Sequence, residues 1–514
     1  MTPQFQEEAK TVSSNLPCSR KRVGAVEWRE IAKAVRSAGG RLLALWGTDD
    51  RDRDCRFRVF AAYLQSSGVA VVVHQMDDGA GPTYPSLREY FPSALRMERA
   101  IFDLVGIKST EPDLRGWLRH GGWPEDAFPL RRDSDRNEQF QVVSEPYLFV
   151  QVEGDGVHEI PVGPVHAGTI EPGHFRFSVV GEKVLRLEER LGYKHKGIEK
   201  LFETMTQKEG HRLAARISGD SAVAYSWAYC AALESVTGTI CPPRAVQLRA
   251  LALEHERLAN HLGDLGALGN DAGFAFGLTQ FSRMKEDLLR TCQACSGARY
   301  LMDFIGPGGV AADLSSDAPR LLLERYRSLE ADVIGMRNTY DNHAGVQDRF
   351  RETGVLSHES AYNLDATGLI ARASGIPHDL RKDLPWAPYD KLKVNVSSQA
   401  SGDVAARVAV RFDEVIESLR ICRALIADLH SGAVWTAVPD AGPNLLGIGA
   451  IEGWRGPVLI ALETGSNGSI RRCHPHDPSW QNWPLIEYAI LGNLVPDFPL
   501  INKSFNLSYS GHDV

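Results

Sequence analysis

Residues 243–266 read PRAVQLRALALEHERLANHLGDLG. Apolar residues recur there at helical spacing with charged residues between them, which predicts a long amphipathic helix. The same periodicity returns at 212–237, 280–304, 316–344 and 402–430, so the chain is helix-dominated from Gly197 onward. Upstream the pattern changes. Val26 to Ser37 has helical spacing ended by Gly39-Gly40. Arg41 to Trp46, Arg56 to Leu64 and Val69 to His74 are strand-like, with turn residues between them. Ser86 to Leu104 predicts a helix despite Pro92. Tyr147 to Val152 alternates like a strand, and Phe175 to Val180 with Lys183 to Leu187 predicts a hairpin around Gly181-Glu182. The fold class is α+β. A small N-terminal domain of mixed helix and strand spans 1–145, with its boundary near Glu145-Pro146. A mainly helical domain spans 146–514, with a small β-hairpin region at its start.

The chain has 514 residues, 43% of them hydrophobic and 24% charged, which is ordinary for a globular protein. At roughly 150 residues per domain the length gives about three domains, or two with one large. Lys and Arg total 57 against 65 Asp and Glu, a formal charge of −8, so there is no basic excess of the kind that nucleic acid attracts. The eight cysteines are sparse and scattered, as expected in a reducing compartment. The first ten residues lack the apolar stretch of a secretion signal. The longest uncharged run, Val59 to Met76, is interrupted by Gln65-Ser66-Ser67-Gly68, and a membrane span needs about 20 mostly apolar residues. No transmembrane segment is expected, so any work at a membrane goes through partners.

Four segments concentrate chemistry. Gly163 to Arg176 places His166, Glu171, His174 and Arg176 beside turn residues at the mouth of the hairpin. Gly192 to Lys200 follows, then Arg216-Ile217-Ser218-Gly219-Asp220-Ser221, and finally the C-terminal stretch Ser504 to Val514.

At these segments the chain resembles the large subunit of membrane-bound, energy-converting nickel–iron hydrogenases of the formate hydrogenlyase type. It equally resembles their relative, the D-type subunit of respiratory complex I (NADH-quinone oxidoreductase). Glu254-x-x-Arg257-x-x-Asn260-His261, Gly306-Pro307-Gly308-Gly309-Val310, Gly354-Val355-Leu356-Ser357, Arg372-Ala373-Ser374-Gly375, Gly402-Asp403 and Trp454-Arg455-Gly456 fall in the family's order. The N-terminal domain resembles the C-type subunit of complex I through Glu98 to Ile107 and Pro129 to Asp133. The likeness runs from about residue 50 to the end. A fused C–D arrangement is itself a feature of the hydrogenlyase branch.

The resemblance also exposes departures. The hydrogenases hold nickel and iron with two Cys-x-x-Cys pairs, whose positions here are Ser218 and Ser221, then Ser508 and Gly511. A soft thiolate suits such metals, and an alcohol is a hard, weakly acidic donor. No nickel–iron centre is expected, no metal is assigned to the chain, and these cofactor positions are expected to be empty. The hydrogenases also carry a tail removed after metal insertion, and no such tail is expected past Val514. In the complex I branch a quinone head group is held by a histidine and a tyrosine. Their positions here are Ile170 and Gly219, which weakens a quinone site.

The resemblance places Glu171 at the hydrogenases' proton-transfer glutamate and Arg455 at an arginine lining the metal pocket. Carboxylates in dry clefts tend to have raised pKa values and pass protons. Glu171 with His174 or His166, and pocket-lining Arg216 and Arg455, are thus the candidate catalytic residues. For Glu171 and His174 a hydrogen-bond network at a turn stands beside the proton path. Ser218 and Ser221 read more simply as helix-start residues, and Arg216 and Arg455 as partners of carboxylates. Cys292-x-x-Cys295, Cys230 and Cys422 read as buried core. His474-Pro475-His476-Asp477 reads as a solvated loop, and Gly306 to Gly309 as a chain reversal.

The implied partners are a small iron–sulfur subunit like the B-type subunit of complex I, carrying the cluster, and membrane-arm subunits. The expected role is a peripheral-arm subunit on the cytoplasmic side of the cell membrane, in an oxidoreductase complex. It would couple electron transfer to proton movement and would not act as a nickel–iron hydrogenase. The alternative is a non-catalytic scaffold passing conformational change to an ion-transporting arm. A third reading is a hydrogenase that uses other ligands.

Overall fold

The computed structural model describes residues 9–54, 56–77, 81–135, 137–141, 146–165 and 170–514. The N-terminal part opens with β1 (Lys10–Thr11), β2 (Ser13–Ser14), β3 (Cys18–Val23) and helix α1 (Ala25–Ser37). Strands β4 (Arg41–Asp49), β5 (Arg56–Gln65) and β6 (Gly68–Asp77) and helix α2 (Ala94–Val105) follow. The sheet order is β1-β3-β6-β5-β4. Because side chains alternate across a strand, Val69, Val71 and Val73 of β6 enter one hydrophobic core while Ala70 and Val72 enter another. The first core is shared with the long helices of the second half. The second holds α1, α2 and the hairpin region.

The second half begins with a three-stranded antiparallel sheet, β7 (Val157–Val162), β8 (His174–Val180) and β9 (Lys183–Arg190), in the order β9-β8-β7. Helices α3 (Ala222–Thr237), α4 (Pro243–Asp271), α5 (Ala275–Ser296), α6 (Ala318–Asn342) and α7 (Val404–Ala427) form the bulk. Strands β10 (Leu446–Glu452), β11 (Pro457–Thr464) and β12 (Ile470–His476) precede α8 (Ser479–Ala489) and α9 (Phe498–Phe505). These three strands take β2 as a fourth, parallel to β10. Asn15 extends that join, its amide donating to Ala450 O at 2.8 Å and accepting from Ala450 N at 3.0 Å. Among the described residues no helix is long and apolar enough to cross a membrane.

Four local readings are corrected. The segment from Ser86 is not helical before Ala94. Glu98 holds it as a turn, accepting from Leu87 N at 2.9 Å and from the Ser86 hydroxyl at 3.0 Å. Tyr147 to Val152 forms no strand, because side chains replace a ladder. Arg99 donates to the Tyr147 hydroxyl at 3.0 Å, and Glu188 accepts from Val150 N at 2.8 Å. The periodicity over 212–237 is interrupted by the loop Arg216–Ser221, so α3 starts only at Ala222. His474 and His476 lie on a buried strand instead of a solvated loop. His474 stacks on Trp46 of β4 with ring centroids 5.0 Å apart, a cover supplied by the other half of the chain.

Candidate functional site

The loop Arg216–Ser221 meets the C-terminal stretch beneath the N-terminus of α3. Ser218 and Ser508 are buried with their hydroxyl oxygens 2.8 Å apart. Gly511 N donates to Ser508 Oγ at 2.8 Å, and Ser218 Oγ donates to Asp220 Oδ1 at 2.8 Å. With the Ser508 proton directed to Ser218, these bonds form one polarised chain ending on the Asp220 carboxylate.

Asp220 is met from the other side by Arg455, whose Nη1 and Nη2 bind its two oxygens at 2.7 and 2.6 Å. This bidentate geometry is the strongest form of carboxylate pairing. Burial pushes the Asp220 carboxyl up, but the Arg455 charge, its two hydrogen bonds and the Ser218 hydroxyl hold it below its ordinary value. Arg455 also donates from Nε to Asn506 O at 2.6 Å and lies over the Trp454 ring. The loop is fixed further at Asp220 O, which accepts from Asn260 and from the Trp454 indole at 2.7 and 2.9 Å.

The fourth expected thiol position carries no side chain, and its space is taken. A Cβ on Gly511 would lie 2.3 Å from Asp477 Oδ2. That oxygen accepts from the Tyr225 hydroxyl at 2.6 Å, and Asp477 Oδ1 accepts from Ser479 N at 2.8 Å. The four positions thus present three hydroxyls and a glycine packed against a carboxylate, a donor set that does not fit a soft bimetallic centre. Among the described residues no group of three or more His, Cys, Asp or Glu is placed to hold a metal ion.

The helix-start reading of the serines is corrected in its detail. Ser221 is the residue before α3, but its hydroxyl makes no capping bond. Glu256 on α4 takes that role, accepting from Val223 N at 2.7 Å and Ala224 N at 3.2 Å. Burial pushes the Glu256 carboxyl up to about 8, against the two amides. Sequence reading missed Glu256 and took Asp477 as part of a solvated loop, because their partners, Val223 for Glu256 and Tyr225 for Asp477, lie on other elements. The only available signal was a carboxylate inside an otherwise apolar helix face. Glu256 also lines a cavity of about 140 Å³ behind Gly219 and Asp220, with His255, Asn260, Lys285 and Cys292. Burial pushes the Cys292 thiol up to about 12, which makes it inert.

The remaining candidates are dispersed. Glu171 accepts from Ser510 N at 3.0 Å and reaches Lys194 Nζ at 3.9 Å, with a side chain 39% exposed, so its surroundings are wet. His174 is half-buried on β8, its Nδ1 3.3 Å from Gly163 O. Burial lowers its pKa, the Gly163 carbonyl opposes this, and Arg176 lowers it further. Among the described residues no hydrogen bond joins Glu171 to His174, and His166 lies outside the described residues. Arg216 points away from the pocket and binds Asp303 at 2.6 and 2.7 Å on the surface.

A buried charge network supports the site. Glu254 accepts from Arg381, the Tyr389 hydroxyl and the Ser418 hydroxyl at 3.0, 2.7 and 2.6 Å. Arg372 binds Glu414 at 2.8 Å and Glu452 at 3.2 Å, and His261 meets Glu414 at 2.8 Å. Arg257 donates to Glu452 O at 2.8 Å and Gly453 O at 3.1 Å, which fixes the end of β10 just before Trp454 and Arg455. On α7, Arg407 binds Ser504 Oγ at 2.8 Å, and Arg411 binds Asp264 at 2.9 Å. Asp264 in turn accepts from Asn506 at 2.6 Å. The two segments that meet at the site are thus held from behind by ions that water does not reach.

Known proteins place this fold. Residues 271–445 match the family model for the respiratory-chain NADH dehydrogenase 49 kDa subunit, and residues 22–140 that for the 30 kDa subunit. The chain is 32% identical over 486 residues to formate hydrogenlyase subunit 5 of Escherichia coli, covering 92% of this chain and 85% of that protein. The chain belongs to this hydrogenase and NADH dehydrogenase family. Hydrogenase-4 component G of Escherichia coli is 31% identical over 92% of this chain and 84% of its own length. The fused C/D subunit of the NADH-quinone oxidoreductase of Bacteroides thetaiotaomicron is 28% identical over 77% of this chain and 79% of its own. Among solved structures, a chain of the membrane-bound sulfane sulfur reductase, an archaeal respiratory membrane complex, superposes with a TM-score of 0.66. It is 24% identical, with 70% of this chain and 99% of that chain covered, and shares the fold. Within this family the two matched ranges cover scaffold. The segments of the candidate site, 163–176, 216–221, 454–455 and 504–511, lie outside both.

Proposed function

We propose that the chain is a peripheral-arm subunit of a membrane-attached, complex I-like or hydrogenase-related oxidoreductase complex, working without a nickel–iron centre of its own. It sits on the cytoplasmic side of the cell membrane, held through membrane-arm subunits. A small iron–sulfur subunit beside it delivers electrons, and the chain couples their arrival to proton movement. The observation that carries the reading is the Asp220–Arg455 pair, closed off by Ser218 and Ser508. Oxygen groups in the inherited metal shell satisfy one another and leave no soft ligand. A quinone finds no hydrogen-bonding side chain at Ile170 or Gly219. Proton handling falls to carboxyls whose environment keeps a proton near neutral pH, which favours buried Glu256 over wet Glu171.

The test is metal analysis of the purified complex with its partners. Iron from the partner's cluster without nickel is the expected result, and stoichiometric nickel would refute it. Glu171→Gln and Glu256→Gln in the assembled complex then separate the two proton routes, since only the group in use slows proton-coupled turnover.

The self-satisfied hydrogen bonding also favours a second reading, a scaffold that transmits conformation to an ion-transporting arm. A partner subunit lacking its four cluster-binding cysteines would select it.

A further inference from the structure

The seam between the two halves holds a cavity of about 260 Å³ with no part in the site above. Its floor is Phe60 of β5 and Val73 of β6, one wall is Arg20 and Arg22 of β3, and the facing wall is Asn444 to Leu446 with Glu463. The register explains the arginine wall. Arg20 and Arg22 are two residues apart on one strand and stand beside Val71 and Val73, so both project from the same sheet face.

The charges around the cavity are unevenly matched. Asp50 is paired with Arg58 at 2.5 Å and with Arg471 at 2.9 Å. Asp54 is paired with Arg58, and Glu463 with Arg53 at 3.2 Å. Every lining carboxylate therefore has its guanidinium. The guanidinium groups of Arg20 and Arg22 make no hydrogen bond or ion pair with the described residues. Arg20 is half-buried, and burial followed by the like charge of Arg22 works against its protonated form, Glu463 opposes them, and Arg58 adds to them; no ion pair joins Arg20 to Glu463. Arg20 is partly desolvated while Arg22 beside it is exposed at the mouth of the cavity, and two adjacent guanidinium forks match the oxygens of a tetrahedral oxyanion.

We propose that Arg20 and Arg22 form a binding site for a phosphate group at the seam between the two halves. The cavity is smaller than the roughly 300 Å³ at which drug-sized ligand pockets begin. It therefore suits inorganic phosphate or a small phosphomonoester, free or as the headgroup of an anionic lipid. Its occupant would neutralise the arginine wall and clamp β3 against the β10–β11 sheet.

The test uses the full chain. Thermal unfolding is followed with inorganic phosphate against chloride at matched ionic strength, and co-sedimentation with phosphatidic acid vesicles against phosphatidylcholine vesicles. A saturable rise in Tm with phosphate, lost in the Arg20→Gln/Arg22→Gln variant, is expected of a soluble ligand. Sedimentation selective for phosphatidic acid, lost in the same variant, is expected of a lipid headgroup. The variant is expected to fold with about the parent's Tm in chloride, since neither guanidinium is paired with a described residue. The site is refuted if both probes act equally on parent and variant, or if neither acts on the parent. Weakened assembly of the variant with its partner subunits, without either probe effect, would assign the arginines to an acidic protein segment instead.

Discussion

At the scale of single residues, the decisive fact is how Gly511 and Asp477 share space. A methyl group at 511 would overlap the carboxylate that Tyr225 and Ser479 hold in place. Gly511→Ala is therefore expected to lower stability by roughly 1–3 kcal/mol, the usual cost of overpacking, in a denaturant titration. By the same geometry, cysteines restored at 218, 221, 508 and 511 should still bind no nickel unless Asp477 is also replaced, as metal analysis of that variant would show. Glu256 gives a signed pH dependence. Its carboxyl is held at about 8 in the fold and returns to near its ordinary value when unfolded. Below about pH 4.5 both states are protonated and the group contributes nothing to the balance. Between there and pH 8 the unfolded state releases its proton more readily, so the native chain loses stability as pH rises. Glu256→Gln keeps an acceptor for Val223 and Ala224 but cannot ionise. In denaturant titrations its stability should match or fall below the parent's at pH 5 and exceed it at pH 8, by an amount on the order of a few kcal/mol.

At the scale of elements, α4 is the organising helix. It carries Glu254, Arg257 and His261 into the charge network, Glu256 to the start of α3, and Asp264 to α7 and the C-terminal segment. Removing one member strands its partners in a medium with little water. Arg372→Met would leave Glu414 and Glu452 short of a cation. Loss of a buried partner costs about 3–5 kcal/mol, so a sharp drop in the denaturation midpoint is expected. A smaller loss would mean that His261 and Arg257 compensate. The periodicity marked α4 as a helix correctly. It could not show that charges on its apolar faces were buried, because several are neutralised by residues more than a hundred positions away, as Arg381 is for Glu254. The same blindness explains His474 and His476, whose polar sequence reads as a loop until Trp46 covers it.

At the scale of the whole molecule, the two halves fold as one body. Both hydrophobic cores contain residues from each. Strand β2 completes the β10–β12 sheet, and ion pairs such as Arg96–Glu189 at 2.9 Å and Arg36–Asp365 at 3.0 Å cross the seam. Residues 146–514 expressed alone should aggregate or unfold without cooperativity, and regain solubility when 1–145 is supplied in trans. Calorimetry of the full chain should show a single transition, and separate transitions for the halves would contradict this. By itself the sequence determined the α+β class, the long helices and three of the five strands of the first sheet, because these depend on local periodicity and on turns. It also determined the family, through motifs in a fixed order, and the absence of sulfur at four positions. Only the tertiary structure decided what stands in the place of that sulfur. The Asp220–Arg455 pair and the serine bridge join segments 235 and 290 residues apart, and Tyr225 holds the Asp477 plug from 252 residues away, and no local pattern encodes which distant group will meet a buried charge.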